Sequence, residues 1–193
     1  SMNRVIYSLY IDVPEKEHFG NSSFKGDTAA RGLKTRNAFK EHYQRLIECK
    51  TKYADRIGAS FHMYEYDKDY KTFSDNLLKD FPFLTGYEIV NFYKIHLLYV
   101  LAKNYDEILY LDFDAIPVTT DNFFEAWDLT KGICVYNNNA MINKMNMTID
   151  KIAHGIRSPT SKYYNAQAML IANGHNPKND VINTGIIGAN KEN

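Results

Sequence analysis

Cysteine is scarce in this chain: Cys49 and Cys134 are the only two among 193 residues, far apart and at no spacing used by metal or redox sites. That scarcity excludes a disulfide framework and a thiolate metal centre, and two buried reduced thiols suit a cytoplasmic setting. Long apolar runs are missing as well. None approaches the ~18 residues that a membrane-spanning helix needs, and no signal-peptide pattern is present. Neither sign of charge is in excess, since 23 basic residues balance 23 acidic ones. No broad cationic surface follows, so nucleic acid is not expected as the main partner. Asn21-Ser22-Ser23 and Asn146-Met147-Thr148 have the form of glycosylation sequons, but without a secretory signal they read as chance matches. There is no internal repeat, low-complexity tract or linker.

What is present describes a globular chain, with 45% hydrophobic and 24% charged residues. The length accommodates one domain with a sizeable core and not two ordinary ones, so residues 1–193 read as a single domain. Ser1-Met2 reads as a tag remnant ahead of a natural start. The end at Asn190-Lys191-Glu192-Asn193, directly after an apolar run, is what a domain cut from a longer protein would show. Fifteen tyrosines are more than a core alone needs. Each joins a stacking face to a hydroxyl, which suits the binding of bases or sugars.

Val5 to Ile11 is a β-branched and aromatic run that stops at Asp12-Val13-Pro14, and it predicts a buried first strand. Gly20, Gly26 and Gly32 among polar residues predict a long loop over 20–32. Ala38, Phe39, Tyr43, Leu46, Ile47, Tyr53 and Ala54 follow helical spacing from Thr35 to about Ile57, closed by Gly58. A strand is expected over 59–66, an irregular excursion with a short helix over 67–85, and a firm helix over 86–103. Glu107 to Leu111 is the most strand-like piece and runs into Asp112-Phe113-Asp114. Further elements are a short helix near 121–129, a strand over 132–136, a helix over 160–173 and a last strand over 181–188. Strands alternating with helices predict a three-layer α/β domain with a mostly parallel central sheet. Ligands of such sheets bind beyond the carboxyl ends of the strands.

The acidic pair stands at such an end. In an extended chain, side chains two apart point to the same side, so Asp112 and Asp114 are expected to aim together from the rim of the sheet. Like charges held that close repel unless a cation sits beside them. Carboxylate oxygens suit Mn²⁺ or Mg²⁺, which take a few protein ligands and fill the rest with substrate phosphate and water. A solvated turn is the alternative, since Asp is common after strands and Pro117 follows soon. Spacing alone leaves both open.

The stretch from Tyr93-Lys94 through Tyr110-Leu111-Asp112-Phe113-Asp114 to Pro117 resembles the centre of GT-A (Rossmann-like) glycosyltransferases. It is most similar to glycogenin-like and bacterial galactosyltransferase-like members and to small viral enzymes of that fold. Ile182-Asn183-Thr184-Gly185 resembles the family's second signature near the acceptor, so the matching segments cover roughly residues 86–120 and 180–190. The resemblance implies a GT-A domain, and for a viral protein the host cytoplasm. It implies that Asp114 coordinates the metal, that Asp112 shares it or holds the donor ribose, and that Lys94 approaches the donor diphosphate. Phe113 lies between them at the donor site. Tyr10, Ile11, Asp12 and Val13 would form the nucleotide-base pocket, with uracil the expected base and Arg31 a further phosphate ligand. Asn183 and Gly185 would line the acceptor side, Gly185 also reading as a close backbone approach. Gln167 and Asp180 are further catalytic candidates. The family's later His-x-x-Gly-x-x-Lys motif, which supplies a third metal ligand, does not occur here; His154-Gly155 and His175 lack its context.

The implied activity is metal-dependent transfer of a hexosyl group from a UDP-sugar to a hydroxyl acceptor such as a glycan, with retention of configuration. Two other classes stay open. A sugar nucleotidyltransferase or phosphohydrolase also uses strand-end aspartates, but Tyr10-Ile11-Asp12-Val13-Pro14 carries neither the glycine-rich loop nor the paired acid that those enzymes place after the first strand. A module that binds a nucleotide or glycan and transfers nothing would share the fold and the aspartates.

Overall fold

The computed structural model describes residues 1–13, 27–137, 170–176 and 182–193. The chain falls into two compact units, Ser1–Cys134 with Gly185–Asn193 as one and Val135–Thr184 as the other. In order, the elements are β1 (Arg4–Tyr10), α1 (Asp27–Ile57), β2 (Ser60–Glu65), α2 (Lys68–Asp80), α3 (Gly86–Leu101) and β3 (Glu107–Leu111). They are followed by α4 (Phe123–Ala126), a 3₁₀ turn at Leu129–Lys131, β4 (Cys134–Asn137) and β5 (Ile182–Asn190).

The protein is α/β, built on a five-stranded sheet in the order β2-β1-β3-β5-β4. β1 is parallel to β2 and to β3, with Val5 opposite Ser60 and Ile108. β5 runs antiparallel to β3, placing Ala189 opposite Ile108. The sheet is therefore mixed, and the expectation of a mostly parallel one is corrected. An apolar strand pattern looks the same in either direction, so composition did not reveal the reversal at β5.

β3 is buried along its whole length and β1 over its five central residues, which is why both read as unbroken apolar runs. Alternate residues face opposite layers. Ile6, Leu109 and Leu111 pack with Tyr53 and Ala54 of α1 and with Phe124 and Leu129. On the other face, the Tyr7 hydroxyl donates to the Lys94 carbonyl of α3 at 2.7 Å. Helices thus cover both faces of β1. Burying one such aliphatic side chain contributes about 1.5–3 kcal/mol.

α1 begins at Asp27, eight residues before the expected start, and the expected loop over 20–32 ends there. Asp27-Thr28-Ala29-Ala30 suits a helical first turn, and Gly32 is carried in the interior at a cost of about 1 kcal/mol. Residues 14–26 lie outside the described set. The short helix expected within 67–85 is the 13-residue α2, opened by the Asp67 carboxylate accepting from the Tyr70 amide at 2.9 Å. α3 starts in a capping box. The Glu88 amide donates to the Thr85 hydroxyl, and the Thr85 amide donates to the Glu88 carboxylate. Of the expected helix over 160–173, residues 170–172 are helical and the rest falls outside the described residues. Among the described residues no helix is long and apolar enough to cross a membrane.

Candidate functional site

β1 and β3 are adjacent and parallel, so Tyr10-Ile11-Asp12-Val13 and Asp112-Phe113-Asp114 leave the same edge of the sheet. Extended geometry stops at Leu111. The Asp112 amide donates to the Gly185 carbonyl at 2.8 Å, and the Ala115 amide donates back to the Asp112 carbonyl at 2.9 Å. Residues 112–115 thus form a turn, and the expected alternation does not carry through to Asp114. Asp112 is half-buried and Asp114 exposed.

Lys94 reaches this turn from α3. Its side chain is 7% exposed, with Nζ 4.0 Å from Asp112 Oδ1 and 4.9 Å from the centre of the Tyr110 ring. The Tyr110 hydroxyl donates to the same Asp112 oxygen at 2.6 Å. Burial lowers the affinity of Lys94 for its proton, and the Asp112 carboxylate opposes that effect. Burial, followed by the Asp112 charge, pushes the Tyr110 hydroxyl well above its usual range, so it stays a donor.

Lys50 approaches from the other face of the sheet. This residue of α1 is fully enclosed, and its Nζ donates to the Phe113 carbonyl at 2.5 Å and to the Leu46 carbonyl at 3.0 Å. Burial lowers its proton affinity, while the charges of Asp114 and Asp112 are among those that raise it. Lys50 was not singled out from the sequence. The signal was there: it lies on the same helical stripe as Leu46, Tyr53 and Ala54, where an exposed lysine has no place. One buried ammonium thus faces the Asp112 carboxylate, and a second holds the backbone between the two aspartates.

Aromatic side chains surround Phe113, which is 3% exposed. Tyr10 lies 4.9 Å from it between ring centres, Phe39 5.4 Å and Tyr43 5.6 Å. The Tyr43 hydroxyl is hydrogen-bonded to Glu65 and is pushed up to about 12, by burial first and then by that carboxylate. Asp12 pairs with Lys40 at 3.3 Å. Ile11 is half-buried and Val13 buried. Val13 also lines a cavity of about 240 Å³ with Tyr66, Tyr70, Lys71, Leu84 and Ile89, between α2 and the start of α3.

Of the expected site residues, Tyr10, Ile11, Asp12, Val13, Lys94, Asp112, Phe113, Asp114 and Gly185 therefore meet at one edge of the first unit. Arg31 falls on α1 rather than in a loop, and its side chain is outside what is described. Gln167 and Asp180 lie outside the described residues, as do His154 and Gly155. Asn183 and His175 belong to the second unit.

Among the described residues, no three acidic, histidine or cysteine side chains converge as a metal cage. Two carboxylates at a strand end still fit Mg²⁺ or Mn²⁺, which bind through one or two carboxylates and complete their shell with phosphate and water. The donor set suits a hard cation arriving with a phosphate more than one held by protein alone. No family model, curated protein or solved structure matches this chain.

Proposed function

We propose that the protein is a metal-dependent GT-A glycosyltransferase that moves a sugar from a UDP-sugar to a hydroxyl acceptor, most simply a glycan. One observation carries this reading: an acidic turn at the carboxyl end of a buried parallel strand, with the buried Lys94 ammonium 4.0 Å from Asp112. The mixed sheet with helices on both faces is compatible with the three-layer GT-A arrangement. Asp114 and Asp112 would hold Mn²⁺ or Mg²⁺, whose chemistry there is to neutralise charge that builds on the departing diphosphate. Lys94 supplies a second positive charge for the same oxygens from a low-dielectric position, where electrostatic stabilisation is strong. The Tyr110 hydroxyl orients the Asp112 carboxylate. Tyr10 and Tyr43, beside Phe113, offer ring faces for the uracil base. Gly185 is tied to the Asp112 amide and would line the acceptor side. A cytoplasmic setting belongs to the same proposal.

The test is UDP release with Mn²⁺ and a panel of UDP-sugars. Asp114→Ala should abolish metal-dependent release and leave the circular dichroism spectrum unchanged. Unaltered turnover in that variant would remove Asp114 from the mechanism.

A further inference from the structure

Lys50 is an enclosed charge that packing alone does not require. Its neighbours on the same stripe of α1, Leu46, Tyr53 and Ala54, are all apolar and buried. Withdrawing an ammonium from water at such a position is costly unless its protons are well placed. Here they are: one goes to the Leu46 carbonyl and one, at 2.5 Å, to the Phe113 carbonyl, with Nζ also 5.3 Å from the centre of the Phe113 ring. The Phe113 peptide is the link between the two aspartates. The turn is otherwise tied by the Asp112 amide on Gly185 and the Ala115 amide on Asp112. The first holds the Asp112 end and the second closes the turn from 112 to 115; among the described residues, the Lys50 bond is the one that addresses its middle.

We propose that Lys50 is the positioning residue of the acidic turn, fixing the Phe113 carbonyl from beneath the sheet edge so that the turn bearing Asp112 and Asp114 is set before any ligand arrives. Its charge is attracted by both carboxylates from the α1 side, while Lys94 faces Asp112 from the α3 side. A site set in advance loses less on ligand binding than one that must be ordered. Lys50 does not touch the ligand; it acts through the Phe113 peptide. The consequence for a diphosphate rests on the glycosyltransferase reading, whereas the consequence for the turn does not.

Amide hydrogen exchange without ligand therefore comes first, comparing the wild-type chain with Lys50→Met and Lys50→Gln. In Lys50→Met the hydrogen-bonded amides of Asp112 and Ala115 should exchange at least tenfold faster, while those of Ile6 and Ser8 in β1 keep their protection. Lys50→Gln, which keeps a donor on a shorter stem, should restore part of the difference. A uniform loss of protection across β1 and β3, no change at 112–115, or failure of both variants to fold would each overturn the proposal and leave Lys50 a general core support. Binding of UDP with Mn²⁺ is measured next. A weakening of tenfold or more in Lys50→Met extends the positioning role to the donor site, and unchanged affinity at well-populated binding contradicts that extension. A wild-type chain that binds no UDP would count against the glycosyltransferase reading alone, since the exchange result stands without it.

Discussion

Replacing Lys94 by Met should separate stability from binding. The Lys94 side chain is 7% exposed and its partner Asp112 44% exposed, so the lysine loses most of its hydration while the aspartate keeps much of its own. At 4.0 Å the pair is at the limit of an ion pair, and the downward shift of the lysine shows desolvation outweighing attraction. Substituting both members of a buried ion pair by apolar residues of similar volume is neutral or stabilising by about 1–4 kcal/mol, whereas removing one member costs about 3–5 kcal/mol when the other stays buried. Only one partner changes here, and Asp112 retains the Tyr110 hydrogen bond and its water. About 0.5–1 kcal/mol of cation–π attraction to Tyr110 is lost, but a thioether beside the same ring recovers a comparable amount. Because Asp112 stays partly hydrated, the net expectation is a change of no more than about 1 kcal/mol, which for a chain of this size keeps Tm within about 4 °C of the wild type. The same change removes a charge-assisted bond to the diphosphate worth about 1.5–3 kcal/mol, so affinity for UDP with Mn²⁺ should fall about 10–100-fold. Scanning calorimetry and titration calorimetry read the two effects separately. A Tm lowered by 4 °C or more would show that the lysine is held for stability, and unchanged UDP affinity would detach it from the donor site.

Gly188→Ala should be destabilising, because an added Cβ would lie 2.7 Å from Cζ of Phe123 and 2.9 Å from Cδ2 of Leu129. Overpacking of this kind costs about 1–3 kcal/mol, and urea denaturation showing less than about 0.5 kcal/mol would mean that Phe123 moves aside freely. Raising the pH should unfold the chain in a window opening at pH 10. Burial holds the Tyr7 hydroxyl well above its usual value and the Tyr93 hydroxyl at about 12, so the folded state keeps protons that the unfolded chain releases. Stability is then full below pH 10 and lost as pH rises through about 12. Tyrosinate absorbance rising in step with loss of ellipticity checks this; free titration of every tyrosine near pH 10 in the folded state would refute it.

Much of the site could be read from the sequence because it sits where strong local patterns end. Glu107–Leu111 is an uninterrupted apolar strand, and its end necessarily puts Asp112 at the sheet edge. The α3 boundaries follow from Thr85, Glu88 and the apolar run behind them, which brings Lys94 inward. The reversal of β5 was not legible, since an apolar strand pattern carries no mark of its direction. The start of α1 was obscured by Gly26 and Gly32, whose preference for loops is overridden by the helix around Gly32. Lys50 escaped notice because pattern reading sorts lysine to the surface. Only its contact with Phe113, 63 residues away in the chain, gives it a role.

The most direct test of the account is the effect of UDP and Mn²⁺ together on Tm, for the wild-type chain and for a variant with Asp112→Asn and Asp114→Asn. A ligand at 100 times its Kd stabilises the native state by about 2.7 kcal/mol, a rise of about 5–11 °C here. The account predicts that rise for the wild type with both components present, and none for the doubly substituted chain. An equal shift in both proteins, or none in either, would contradict it.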